Sequence, residues 1–186
     1  VDRHPFADYA EFSFGDVQAE EQGVVQWLPS VAAVTDSHGK AELSLALDNV
    51  PATRQPLSAQ LRLRAIDVDG RSLDSKATVP VRHLSQYLGI RPMFANLRVG
   101  AQQTAAFQFI ALNASGAPMG GAMSWRLVAE QVDYQWYRRD GEWRYERVVF
   151  DHPVADGALQ LPDDGPLDWQ VAVAEGGYRL ELFDTQ

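Results

Sequence analysis

Residues able to do chemistry are present in this 186-residue chain, but not in a spacing that would do any. The four histidines, His4, His38, His83 and His152, are far apart and share no ligand spacing, so no imidazole metal site follows from them. Cysteine is absent. That removes disulfides, thiolate metal sites and thiol nucleophiles together. Asp67-Val-Asp69-Gly70 starts like a calcium loop, but the twelfth position counted from Asp67 is Thr78, where a bidentate glutamate is needed. A hairpin turn explains the same residues. Asp163-Asp164-Gly165 before Pro166 is equally well a turn. No G-x-S-x-G, phosphate-cradling glycine loop or H-E-x-x-H occurs. Asn113-Ala-Ser115 fits a glycosylation sequon, a three-residue pattern that is frequent by chance. With 25 acidic residues, no carboxylate pair stands out as general acid and base. The reading is no catalytic residue, no metal site and no cofactor, hence not an enzyme.

One constellation is dense enough to bind something. Val132 to Glu146, VDYQWYRRDGEWRYE, holds five aromatic residues and, counting Arg147 just beyond, four arginines around Asp140-Gly141. Asp-Gly is a strong signal for a two-residue type I′ turn, because both central positions must accept a positive φ. With that loop Arg139 faces Glu142, Arg138 faces Trp143, Tyr137 faces Arg144, Trp136 faces Tyr145 and Tyr134 faces Arg147. One face then carries Tyr134, Trp136, Trp143 and Tyr145, with Arg138 and Arg147 alongside. The other carries Gln135, Tyr137, Arg144 and Glu146. Such cross-strand pairs contribute about 0.2–1 kcal/mol each and satisfy one another without a ligand. The expectation is that the first face is sheet core. The tip, represented by Tyr137, Arg138, Arg139, Trp143 and Arg144, is then the part left to touch a domain or partner. A stacking platform for carbohydrate is the alternative.

The elements that must position this hairpin are strands. Ten prolines and fourteen glycines leave few windows for a helix, and period-2 alternation is plentiful. Leu57 to Ala65 puts Leu57, Ala59, Leu61, Leu63 and Ala65 on one face, Asp69-Gly70 turns the chain, and Thr78 to Val81 returns with Pro80 at an edge or strand end. Ahead of them, a turn at Thr35–Gly39 feeds an alternating Ala41 to Leu47. Residues 82–88 show neither periodicity nor turn chemistry and read as a joint. Strands then recur at Gly89–Phe94, Thr104–Asn113, Met123–Arg138, Glu142–Phe150, Ala158–Leu161, Leu167–Ala174 and Gly177–Asp184. In the last, Tyr178, Leu180 and Leu182 alternate inward, Tyr178 standing where sandwiches often place a corner tyrosine. The pattern predicts an all-β chain of two tandem antiparallel β-sandwiches, residues 1–84 and 85–186, the first incomplete at its N-terminus.

Charge narrows the partners. The net charge is −9, with 8 basic and 12 acidic residues up to Leu84 and 8 and 13 after it. Neither half is a basic head for nucleic acid or an anionic membrane. No run approaches the roughly 18 apolar residues of a membrane span. The chain starts at Val1 without a visible targeting signal, which suggests a piece of a longer protein.

Ser124 to Tyr145 resembles the central region of bacterial α2-macroglobulins. So do Tyr87-Leu-Gly-Ile-Arg-Pro-Met-Phe94, Asp36-Ser-His-Gly-Lys-Ala-Glu-Leu43 and Gly177-Tyr-Arg-Leu-Glu-Leu-Phe183. The resemblance implies that the sandwiches are macroglobulin-like (Ig/fibronectin-III-like) domains near the bait-region domain of a periplasmic protease trap. It implies contact with neighbouring macroglobulin and bait-region domains of the same chain, and with target proteases through the full-length protein. The family's thioester needs Cys-x-Glu-Gln; here Val128 precedes Ala129-Glu130-Gln131 and Ala19 precedes Glu20-Glu21-Gln22, so neither step can form one. The implied function is structural scaffold of a protease inhibitor. A carbohydrate-binding sandwich using the aromatic hairpin, and an Ig-like adhesin stalk, are the other readings.

Overall fold

The structure is a computed structural model. It describes residues 3–16, 25–47, 50–100 and 103–184, with the side chains of Arg139 and Arg147 excepted. Alternating sequence becomes nine antiparallel strands among these residues: β1 Ser13–Phe14, β2 Leu57–Ile66, β3 Ser72–Val81, β4 Gln86–Pro92, β5 Thr104–Asn113, β6 Gly121–Arg139, β7 Glu142–Leu161, β8 Leu167–Ala172 and β9 Gly177–Asp184. They form a four-stranded sheet ordered β1-β4-β5-β8, a two-stranded sheet β2-β3, and a three-stranded sheet β7-β6-β9. Packing divides the chain into two units. Gly15–His83 falls in one; Arg3–Phe14 and Leu84–Gln186 form the other. The N-terminal segment therefore folds with the second unit, across some seventy residues of intervening chain.

In the first unit, β2 and β3 pair in full from Leu57↔Val81 to Ile66↔Ser72. Asp67–Gly70 is the hairpin turn: Gly70 N donates to Asp67 O at 2.9 Å, and φ at Gly70 is +80°. Arg64 grips Asp74 directly opposite with two bonds, both groups exposed. The Asp36 turn forms too, its Oδ1 accepting from the amides of His38 and Lys40. Two expectations fail here. Ala41–Leu47 forms no ladder among the described residues, and the alternating face of β2 is largely exposed at Leu61 and Leu63. Alternation supplies an apolar face, whereas burial needs a second layer upon it.

The second unit has that second layer. Phe109, Ala111, Met123 and Leu161 are its buried centre, with Leu88, Ile90, Phe107, Leu167, Trp169, Leu180 and Leu182 packed around them. Trp169 joins the sheets, its ring 4.7 Å from Trp125 and 5.1 Å from Phe109. Strand β5 is buried on both faces. Its alternate residues Ile110 and Leu112 join a separate cluster with Phe6, Phe12, Phe14 and Tyr87. The N-terminal segment thus covers the outer face of the four-stranded sheet. The unbroken apolar run Phe109-Ile-Ala-Leu112 is the sequence mark of such a two-faced strand. A corner tyrosine exists as well, but at Tyr87, whose hydroxyl accepts from Leu84 N at 3.1 Å; Tyr178 is only half-buried. The expected joint loses Gln86–Leu88 to β4, and the expected break between Phe150 and Ala158 is closed by the continuous β7.

Gly89 makes the N-terminal cover possible. It pairs with Phe14, and a Cβ there would stand 2.7 Å from the Phe14 ring. Gly89→Ala is expected to cost about 1–3 kcal/mol through overpacking. Urea unfolding measures that loss, and limited proteolysis should show earlier cleavage within Arg3–Phe14. An unchanged midpoint and cleavage pattern would contradict this account of Gly89.

Candidate functional site

The aromatic segment is the outer part of a long ribbon. Asp140 and Gly141 have φ of +53° and +85°, the double positive that a type I′ turn requires. Cα partners run as anticipated from Arg139↔Glu142 to Tyr134↔Arg147, and continue to Gln131↔Phe150. Strand β9 pairs with β6 only from Met123 to Glu130. Beyond Glu130 the ladder therefore has two strands. At about 3.3 Å per residue its nine pairs extend roughly 30 Å from the three-stranded sheet.

Pleat parity assigns the faces. On β6 the residues packed into the sandwich are Met123, Trp125 and Leu127. Alternation places Arg126, Glu130, Val132, Tyr134, Trp136 and Arg138 on the opposite, outward side. Tyr134, Trp136, Trp143 and Tyr145 are accordingly 57%, 66%, 67% and 64% exposed. The expectation that this face is sheet core is overturned. Val132 and Val149 extend the apolar strip toward the sandwich, both exposed. The rings hold one another: Trp136 and Tyr145 lie 5.5 Å apart and Tyr134 and Tyr145 6.1 Å.

The five candidate contact residues divide between faces. Arg138 and Trp143 stand on the aromatic face, with Arg138 Nε 3.4 Å from Gly141 O. Tyr137 and Arg144 pair on the other, where Arg144 meets Glu142 at 3.6 Å. The side chain of Arg139 lies outside the described residues. Sequence reasoning passed over Tyr134, Trp136 and Tyr145 as exposed groups. The signal was there: Met-Ser-Trp-Arg-Leu, 123–127, sets the inward parity of β6, and Tyr134 and Trp136 fall on the other one.

Arg179 fixes the base of the ribbon. It lies on β9, opposite Val128 of β6. Its guanidinium donates to Glu130 on β6, to Asp151 Oδ2 on β7 at 2.6 Å, and to Glu181 of its own strand at 2.9 Å. Glu130 and Asp151 are cross-strand partners, the last pair before the ribbon leaves the third strand. The hydrogen bond from Arg179 holds the Asp151 carboxyl below its ordinary value, against a smaller opposing effect of desolvation. Two pairs inward, Val128 pairs with Pro153 and Leu127 then with Ala155, so Val154 is an extra residue in β7. Pro153 sits at this bulge on an edge strand, where its missing N–H is tolerated.

Other residues singled out for chemistry have structural employment. His83 Nε2 lies 2.9 Å from Thr53 O, and His4 Nδ1 2.9 Å from Phe12 O. Asn113 Oδ1 accepts from the Ser115 amide and hydroxyl and from Ala117 N, which makes a turn of the sequon. Asp163 Oδ1 accepts from Gly120 N. Glu20-Glu21-Gln22 lies outside the described residues. Among the described residues no group of three or more His, Asp or Glu is arranged to hold a metal, and no helix is long and apolar enough to cross a membrane.

Residues 1–82 match the Bacterial Alpha-2-macroglobulin MG5 domain, and residues 89–186 match Bacterial macroglobulin domain 6. The chain is 24% identical to an alpha-2-macroglobulin of Xylella fastidiosa (strain 9a5c), over 99% of this chain and 11% of that protein. It is similar to the native conformation of E. coli alpha-2-macroglobulin, with a TM-score of 0.71 and 25% identity over 97% of this chain and 12% of that one. It also resembles E. coli alpha-2-macroglobulin activated by porcine elastase, with a TM-score of 0.74 and 26% identity over 99% of this chain and 16% of that one. The chain thus spans a small fraction of its relatives' length.

Two outcomes follow for the ribbon and its base. Trp136→Ala is expected to lower stability by less than about 1 kcal/mol, the scale of an exposed cross-strand pair, whereas a core tryptophan would cost about 3–5 kcal/mol. Arg179→Met is expected to cost about 2 kcal/mol, the scale of lost charge-assisted bonds with discount for the exposed carboxylates. Because the folded Asp151 value is depressed, its contribution is present above the unfolded value near 3.8 and is lost as pH falls through the lower folded one. In the Arg179→Met protein the Asp151 contribution is absent, so its stability should fall less steeply over the same acid range. Melting temperature followed from pH 7 to 3 separates the two slopes.

Proposed function

Since the chain belongs to the bacterial alpha-2-macroglobulin family and carries its MG5 and MG6 domains in tandem, we propose that it is a non-enzymatic scaffold segment of a protease-trapping inhibitor. Its work is mechanical. Packed β-sheets keep their shape under load because side chains interlock at crystal-like density, so a domain moves as a body rather than deforming. In the parent protein such bodies hold a cage open, and cleavage of a bait segment by a protease releases them to close around it.

The observation that carries this reading is the order and extent of the two family matches, residues 1–82 and then 89–186, which account for almost the whole chain. The similarity to an alpha-2-macroglobulin activated by elastase supports a serine protease of that kind as a target. A capturing thioester would have to come from elsewhere in the parent, because this chain has no cysteine. A protease trap works where foreign proteases arrive, and we place the parent in the periplasm on that ground.

Mixed with porcine elastase at equal concentration, the isolated chain is expected to leave hydrolysis of peptide and protein substrates unchanged. The parent is expected to suppress hydrolysis of a large protein while sparing a small peptide, because a cage excludes substrates by size and leaves the active site intact. Inhibition of both substrates by the isolated chain would sink the proposal. So would a parent that spares neither or blocks neither.

A further inference from the structure

We propose that the outward face of the ribbon, built on Trp136, Trp143 and Tyr145, is the docking surface for a carboxylate-bearing face of another domain of the same parent polypeptide. This rests on the reading that the chain is one segment of a larger inhibitor.

Charge along the ribbon is segregated by the pleat. From the register, the face with the rings, outward of the Glu130–Asp151 pair, holds Arg138 and none of the strand carboxylates, while Asp133, Glu142 and Glu146 fall on the opposite face. A cationic-aromatic strip is conspicuous on a chain whose net charge is −9. Its bond from Arg138 to Gly141 O is long, and engages one of the five N–H groups a guanidinium offers. Tryptophan, tyrosine and arginine together are the composition of protein-contact hot spots, where rings fill the dry centre and arginine meets a carboxylate. A second copy of this chain fits poorly: the same face turned on itself offers rings and Arg138, and the acids at its base, Glu130 and Asp151, are already bound by Arg179. Nucleic acid meets the chain's net negative charge.

The parent supplies the partner. The chain spans 11% to 16% of its relatives, so most of the parent's surface lies on other domains. Tethering makes their encounter intramolecular, at an effective concentration of order millimolar, and a small patch then suffices. The Arg179 clamp contributes by fixing how the ribbon leaves the sheet, which lowers the ordering cost of docking.

Hydroxyl-radical footprinting with mass spectrometry tests this. In the parent protein, Trp136, Trp143 and Tyr145 are expected to oxidise several-fold more slowly than in the isolated chain. Arg138→Glu introduced into the parent should restore the fast rate at Trp143 and Tyr145. Equal rates in parent and chain would overturn the proposal. Protection of the isolated chain that grows with its own concentration would assign the face to a second copy, and protection by a soluble glycan panel would assign it to a sugar; both also overturn it. No protease is involved, so a parent with a protected ribbon that fails to inhibit counts against the trap and not against the docking.

Discussion

Beyond Glu130, strand β6 loses the partner on one of its edges. Strand β9 stops there, and the chain continues for nine more pairs as two strands alone. A two-stranded ribbon is marginal in water, because neither face has a layer to pack upon. The Arg179 clamp sits at this transition. It bonds carboxylates on β6 and β7 from β9, so the three strands are tied at the point where pairing drops from two edges to one. Residues inward of the clamp build a sandwich core, and residues outward of it are surface on both sides.

The second unit can tolerate this projection because its core is complete without it. Trp169 bridges the sheets, β5 is buried on both faces, and the N-terminal phenylalanines cover the outer side of the four-stranded sheet. Gly89 and Gly157 repeat one device. Each leaves out a side chain where a cross-strand aromatic must lie, Phe14 over Gly89 and Trp125 over Gly157. Aromatic cover of a glycine closes the gap that the missing side chain leaves.

His4, His38 and His83, the turns at Asp36, Asp67 and Asp163, and the sequon at Asn113 are used in hydrogen bonds within the fold. What the second unit offers instead is a packed core and a ribbon tied at its base by Arg179. The chain carries two macroglobulin domains of the bacterial alpha-2-macroglobulin family.

The amino-acid sequence determined whatever depends on neighbours along the chain. Asp140-Gly141 fixed the turn, because few residues accept two positive φ angles in succession. The turn in turn fixed the pairing of every residue from Arg139 back to Tyr134. Strands such as Thr104–Asn113 and Gly177–Asp184 were legible to the residue for the same reason. The tertiary structure alone decided which faces are covered. Alternation defines two sides of a strand and is silent on what lies against either. Tyr134 and Trp136 look like core by composition, yet they stand on the outward parity beyond the end of β9; Leu61 and Leu63 alternate faultlessly and remain exposed. Arg3–Phe14 shows the converse, since its phenylalanines are buried only because β4 and β5, far along the chain, present a glycine and two apolar residues to receive them. Burial is a property of two surfaces, and the second one is distant in sequence.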